Sequence, residues 1–186
     1  MPGFPRQYRL VSLLVGTLLI AVLALVFMPM WLASRRQDMK RASIRGLFSI
    51  RDAEDLLAAN DLDGNRVRDY WTRDIRGLAL FRARGAAAGL IDELLAAADC
   101  AYPDARPIHG HLYRMHDMDS YGEPLANAAG MGDNFLVFSR SARFGESKDI
   151  WALSSYRGHL HRGRDEGQPW NQLPAAPSQA GWGIVD

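Results

Sequence analysis

The stretch LVSLLVGTLLIAVLALVFMPMWLA, residues 10–33, decides the architecture of this 186-residue chain. It contains no Asp, Glu, Lys, Arg or His, and it exceeds the roughly 20 apolar residues a helix needs to cross a hydrocarbon core. Trp31 sets an aromatic side chain where the bilayer would meet water, and Pro29 is the natural place for a kink. The rival reading is a cleaved secretory signal, with Arg6 and Arg9 as its basic region. Such signals have an apolar core of about 7–15 residues and small residues just before the cut. This run is longer, and a cut after Ala33 would set Trp31 where a small residue is required. The sequence therefore predicts a short basic segment, 1–9, and a retained single transmembrane helix, 10–33, with the lipid bilayer as its first partner.

Beyond the span, residues 34–60 contain no proline, and Gly46 alone interrupts a helix-compatible composition. Leu47, Ile50, Ala53 and Leu57 recur at helical spacing, while Arg45, Asp52 and Asp55 point away from that stripe. The membrane helix is expected to continue outward as an amphipathic extension. Leu47, Ile50 and Leu57 are its candidate interaction residues. The helix should stop at NDLDGN, residues 60–65, whose residues favour turns. Asp61, Asp63 and Asn65 resemble a calcium loop only superficially, because Ala59 and Tyr70 would fall where acidic ligands are needed.

Residues 61–186 read as a small α+β domain. Tyr70 and Trp71 are packing aromatics, and Thr72 is a candidate cap for a short helix through Leu78 and Phe81. Leu90, Ile91, Leu94 and Leu95 mark a second short helix within 86–99. After Pro103 the pattern turns to short runs bounded by turn residues, at 109–115, 134–139, 149–154 and 159–161, which predict a small antiparallel sheet. Tyr156, Arg157 and Gly158 read as a hairpin turn. The tail, 167–183, is rich in Pro, Gly and Ala, and reads as an extended segment pinned by Trp170 and Trp182.

Composition narrows function. Lys and Arg total 22 against 21 for Asp and Glu, and only Arg6 and Arg9 precede residue 34. The part outside the membrane is near neutral, which gives no electrostatic case for nucleic acid. Cys100 is the single cysteine, so no disulfide can form within the chain, and a core position is its expected role. No phosphate loop, zinc cysteine cluster, HExxH or nucleophile elbow is present. The expectation is a non-enzymatic protein without catalytic residues or a bound cofactor.

One constellation invites a metal. His109 and His111, and again His159 and His161, are spaced two apart, which on a strand points both members of a pair to one face. If the two strands were neighbours on that face, four imidazoles could hold a divalent transition metal. Exposed or hydrogen-bonded histidines are the competing reading, since His159 and His161 lie among Arg157, Arg162 and Arg164.

The near-terminal apolar helix with its amphipathic extension, the Asp-Gly-Asn turn followed by Tyr70, and the small carboxyl-terminal sheet together resemble type IV pilin-like and pseudopilin-like proteins, in particular the pilin-like group of planctomycetes. GHLYRM (110–115) resembles that group's Gly-Tyr-x-Phe-type strand, FLVF (135–138), SARFG (141–145), IWAL (150–153) and RGHLH (157–161) resemble its successive sheet segments and hairpin, and AGWGIV (180–185) resembles its terminal Trp segment. The resemblance implies an assembly or interaction component of the cell envelope, with self-assembly or other pilin-like subunits as partners and the domain outside the cytoplasm. The basic residues Arg35, Arg36, Lys40, Arg41 and Arg45 after the span argue instead for a cytoplasmic domain. The chain also departs from the prepilin pattern: Pro5 follows Gly3 and Phe4, Tyr8 stands at the place of the glutamate, and the first glutamate is Glu54. A static anchored relative is implied rather than a subunit processed into a filament.

Overall fold

The computed structural model describes residues 6–62, 64–83, 86–87, 89–116, 131–132, 134–143, 147–155, 158–174, 177 and 180–185. Its elements in chain order are α1 (Arg6–Asn60), β1 (Tyr70–Trp71), α2 (Ile75–Leu80), β2 (Arg82–Ala83), β3 (Ala86–Ala87) and α3 (Glu93–Ala96). There follow β4 (His111–His116), β5 (Met131–Gly132), β6 (Leu136–Ser141), β7 (Asp149–Ser154), β8 (Leu160–Arg164), a 3-10 turn (Trp170–Gln172) and β9 (Gly183–Val185). This is the expected α+β class. The chain divides into two compact units, Met1–Asp38 and Met39–Asp186.

In the first unit α1 runs unbroken through Pro29. From Leu13 to Leu32 its large apolar side chains are exposed, Leu18 at 67% and Phe27 at 61% among them. A helix satisfies its own backbone hydrogen bonds, so such a surface is suited to lipid rather than to water. It is the one helix among the described residues long and apolar enough to cross a membrane.

In the second unit the remainder of α1 packs on a five-stranded antiparallel sheet of order β4-β6-β7-β8-β9. Leu47, Ile50, Ala53 and Leu57 are buried with Tyr113, Met115, Val137, Trp151 and Leu153 in one cluster. The helical stripe is thus the domain's own core, which corrects the expectation that Leu47, Ile50 and Leu57 form an interaction surface. Their aliphatic area is consumed within the chain, each side chain worth about 1.5–3 kcal/mol of burial. The opposite sheet face is smaller. There Leu136, Phe138, Ile150 and Ala152 pack with Leu173, and Trp170 and Trp182 lie against them. Both tryptophans expected to pin the tail therefore do so.

Glycines set how closely the layers approach. A Cβ at Gly46 would lie 2.3 Å from Tyr113 Oη and 2.7 Å from its Cζ, and one at Gly163 would lie 2.1 Å from the Trp182 indole. Gly46, which read as a flaw in the helix, is the recess that receives the Tyr113 ring. Tyr113 also donates from its hydroxyl to the Ser43 carbonyl at 3.3 Å, and Ser43 and Ser139 share a buried hydroxyl pair at 2.7 Å. Gly46→Ala should accordingly destabilise the domain by about 1–2 kcal/mol, because overpacking outweighs the gain of about 1 kcal/mol in helix propensity. Thermal unfolding followed by tryptophan fluorescence checks this, and the loss should disappear in a Tyr113→Ala background.

The local elements depart from expectation in instructive places. Asp74, not Thr72, caps α2, accepting from the Gly77 N–H, while Thr72 is buried. The second short helix shrinks to α3, capped by Asp92, because Ala86 and Ala87 pair with β2 and Gly89 takes φ +53°. The turn after α1 is built as its composition suggests: Asp61 accepts from the Arg66 N–H at 2.9 Å, and Asn65 from the Val67 N–H at 2.6 Å. Asp63, residues 144–145 of the SARFG segment, and residues 156–157 of the expected hairpin turn lie outside the described residues. The outer edge of β4 is covered, with the Cys100 N–H donating to the Tyr113 carbonyl and the Tyr113 N–H to the Ala98 carbonyl, each at 2.9 Å, so among the described residues the free edge of this sheet is β9.

Candidate functional site

The four histidines do not converge. His111 is on β4 and shares a sheet face with Tyr113 in the helix-side core, whereas His161 on β8 alternates with Leu160 of that same core and so faces the other way. Two strands, β6 and β7, separate them, a gap of about 14 Å at ~4.8 Å per strand. The expected four-imidazole site is thereby corrected: parity and strand order place the pairs apart. Within the first pair, His109 is a loop residue at φ +50°, and its carbonyl lies 3.2 Å from His111 Nδ1. Within the second, the rings of His159 and His161 stand 6.3 Å apart. Among the described residues no three His, Cys, Asp or Glu side chains gather as metal ligands would.

Cys100 sits behind the edge of β4. Burial pushes its thiol up to about 12, which keeps it protonated at neutral pH, and a protonated thiol is a poor nucleophile.

The polar groups that stand out are buried. Glu54, on the core side of α1, has no exposed surface; its Oε2 accepts from the Trp71 N–H at 2.9 Å, and its Oε1 has no partner among the described residues. Burial raises its carboxyl well above the ordinary 4.5; the Trp71 N–H opposes this and Asp55 adds to it. A raised folded-state value makes this contribution to stability complete below about 4.5, and loses it as pH rises through the folded value. His161 works in the opposite direction below 6.5, since burial lowers its value and the unfolded chain takes up the proton first. Glu54→Gln should remove the first dependence alone and raise stability at pH 7 by about 1–3 kcal/mol, the penalty of a poorly satisfied buried group. Urea unfolding of the two proteins at pH 5 and pH 7 measures it; an unchanged difference between the two pH values would show that Glu54 does not titrate differently on folding.

On the surface, a cleft of about 560 Å³ opens at the β8–β9 end of the sheet, lined by Lys148, Asp149, Arg162, Arg164, Ile184 and Val185 among others. Arg162 donates to Asp149 at 2.8 Å. Lys148 and Arg164 are exposed and make no ion pair among the described residues. Arg162 also lies 5.8 Å from the Trp151 ring, whose indole carries Lys40 of α1 at 4.8 Å. Among the described residues the lining of the cleft is net cationic, with Lys40 of the helix over the neighbouring Trp151 ring. Arg162 and Arg164 stand two apart, a spacing that sets both on one face of β8, and Lys40 approaches them only through the fold. No protein-family model, curated protein or solved structure matches this chain.

Proposed function

We propose that this protein is a single-pass, membrane-tethered, non-enzymatic component of the cell envelope, in the manner of a pilin-like subunit that stays at its anchor. The α+β domain is held outside the cytoplasm, where it serves as an assembly or interaction module. The observation that carries this reading is the change of environment along α1. From Leu13 to Leu32 its large apolar side chains face outward, whereas Leu47, Ile50 and Leu57 are sealed in the domain. An apolar helical surface of that extent is stable in lipid and costly in water.

With Leu47, Ile50 and Leu57 occupied, the surfaces left for partners are the outward side of α1, where Arg41, Arg45, Ser49, Asp52 and Leu56 are exposed, and the free edge at β9. A basic stretch at Arg41 and Arg45 followed by an acidic one at Asp52 and Asp55 along that helix side suits contact with another copy displaced along it.

Fractionation tests the tether. The full chain should remain in the membrane pellet after alkaline carbonate, with its amino-terminal residues intact, and should be digested by protease added to spheroplasts. Release by carbonate, or a mature chain beginning near residue 34, would overturn the anchor; protection until lysis would reverse the topology. Detergent-extracted protein that is strictly monomeric, and gives no cross-linked dimer in membranes, would remove the assembly role.

A further inference from the structure

We propose that the cavity between β4, β6 and the segment 165–170 binds a free amino acid with an aliphatic side chain, its carboxylate on Arg140 and its ammonium on Asp165. The inference goes beyond the tethered reading above and does not depend on it.

The cavity has a volume of about 330 Å³, and Leu112, Arg140, Ala142, Asp165, Glu166 and Trp170 are among the residues that line it. That is the size of a small-molecule site. Its walls share one face of the sheet. Leu112 stands opposite Arg140 in the β4–β6 pairing, and Arg140 is two residues from Phe138, so it faces the smaller core. Asp165 prolongs β8, its N–H donating to the Lys148 carbonyl at 2.7 Å. It lies two residues from Gly163, which faces the Trp182 ring of that same core. Trp170 packs against this cluster as well.

Two opposite charges line this space without meeting. Arg140 Nη1 donates to the Gln168 carbonyl at 2.7 Å, and its guanidinium lies 4.3 Å from the centre of the Trp170 ring. Asp165 is 7% exposed and its Oδ1 accepts from the Gly167 N–H at 2.9 Å, while its Oδ2 has no hydrogen bond among the described residues. Neither side chain forms an ion pair with the other or with any described residue, exposed Lys148 included.

Each charge is thus held by its own neighbours, with β7 between the two strands that carry them. Their backbones stand about 10 Å apart across the sheet, a span that two side chains and one small molecule fill. A carboxylate buried this far is costly without a cation, and a guanidinium with one N–H engaged keeps a fork of donors for a carboxylate. A ligand with one charge would answer one of these groups and leave the other; a zwitterion answers both. Exposed Glu166 adds to the attraction for the ammonium, and half-buried Leu112 and Ala142 give an aliphatic side chain its wall.

The test is thermal unfolding of the detergent-extracted full chain, followed by tryptophan fluorescence, with L-leucine, isovalerate or isoamylamine added. Leucine should raise the midpoint saturably, as a ligand of the folded state does, and each single-charge probe should bind about tenfold more weakly or worse. Arg140→Lys keeps the charge without the fork and should weaken leucine about tenfold. Asp165→Asn keeps an acceptor for the Gly167 N–H and should weaken leucine about as much. Absence of a saturable leucine shift up to about 10 mM, a single-charge probe binding as tightly as leucine, or leucine binding unchanged in either variant would overturn the proposal. If one variant fails to unfold cooperatively, the other variant and the comparison of the three probes still decide.

Discussion

Leu47→Asp is expected to unfold the domain of residues 39–186 while leaving the chain in the membrane. Leu47 has no exposed surface and belongs to the cluster that joins α1 to the sheet. A carboxylate there would have to be buried without a partner or protonated, and it would replace an apolar side chain that fills the layer. Together these cost more than about 4 kcal/mol. Domains of this size have about 5–15 kcal/mol of total stability, so the loss removes most or all of it. Near-ultraviolet circular dichroism and resistance to limited proteolysis should both collapse in detergent-extracted protein. The control is Leu56→Asp, on the same helix but 50% exposed, which should shift stability by no more than about 0.5 kcal/mol. If Leu47→Asp stayed folded and lost only self-association, the stripe would be an interface after all and the packing of α1 on the sheet would be wrong.

The contrast between Leu47 and the span shows what kind of information a sequence carries openly. Residues 10–33 are legible because an uninterrupted apolar helix has essentially one stable environment, whatever the rest of the chain does. The stripe at Leu47, Ile50 and Leu57 is equally visible as a pattern. Whether it meets a partner or the chain's own sheet is a tertiary question, and periodicity is silent on it. The β7 run at Asp149–Ser154 matches its expected bounds because Ile150, Trp151, Ala152 and Leu153 are buried on both faces, whereas β9 lies outside the expected strand runs because Gly183, Ile184 and Val185 are exposed and carry no burial pattern. The histidines failed for a different reason. Spacing sets which residues of one strand share a face, but the relative parity of β4 and β8, and the two strands between them, follow from pairings such as Tyr113 with Ser139 and Ala152 with His161. The contact of Arg162 with Asp149 was hidden in the same way, since the two meet only once β7 and β8 are laid side by side.

Asp99→Ala should be the second most damaging change. Asp99 is fully buried. Its Oδ2 accepts from the N–H groups of Ile75 at 2.8 Å and Arg76 at 3.1 Å, and its Oδ1 accepts from that of Ala101 at 3.0 Å. A six-residue helix such as α2 is too short to hold itself together in isolation, and its first turn presents donors that need acceptors. Asp74 satisfies Gly77 locally, and Asp99 reaches across from the segment that covers the edge of β4, tying α2 to the sheet. Alanine leaves three donors without an acceptor at about 1–3 kcal/mol each, and partial relaxation brings the expected total to about 3–5 kcal/mol. Asp99→Asn keeps the shape but offers one acceptor oxygen and an NH₂ that opposes the remaining N–H groups, so its loss should be smaller, about 1–3 kcal/mol. Burial outweighs these three hydrogen bonds and raises the carboxyl above its ordinary 3.8. That part of its contribution is complete below 3.8 and declines as pH rises through the folded value, a slope both variants should lack. Urea unfolding at neutral pH, followed by tryptophan fluorescence, gives the order wild type, Asn, Ala. A loss below about 1 kcal/mol for Asp99→Ala would mean that water takes over the three donors, and that the start of α2 is held by Asp74 and packing alone.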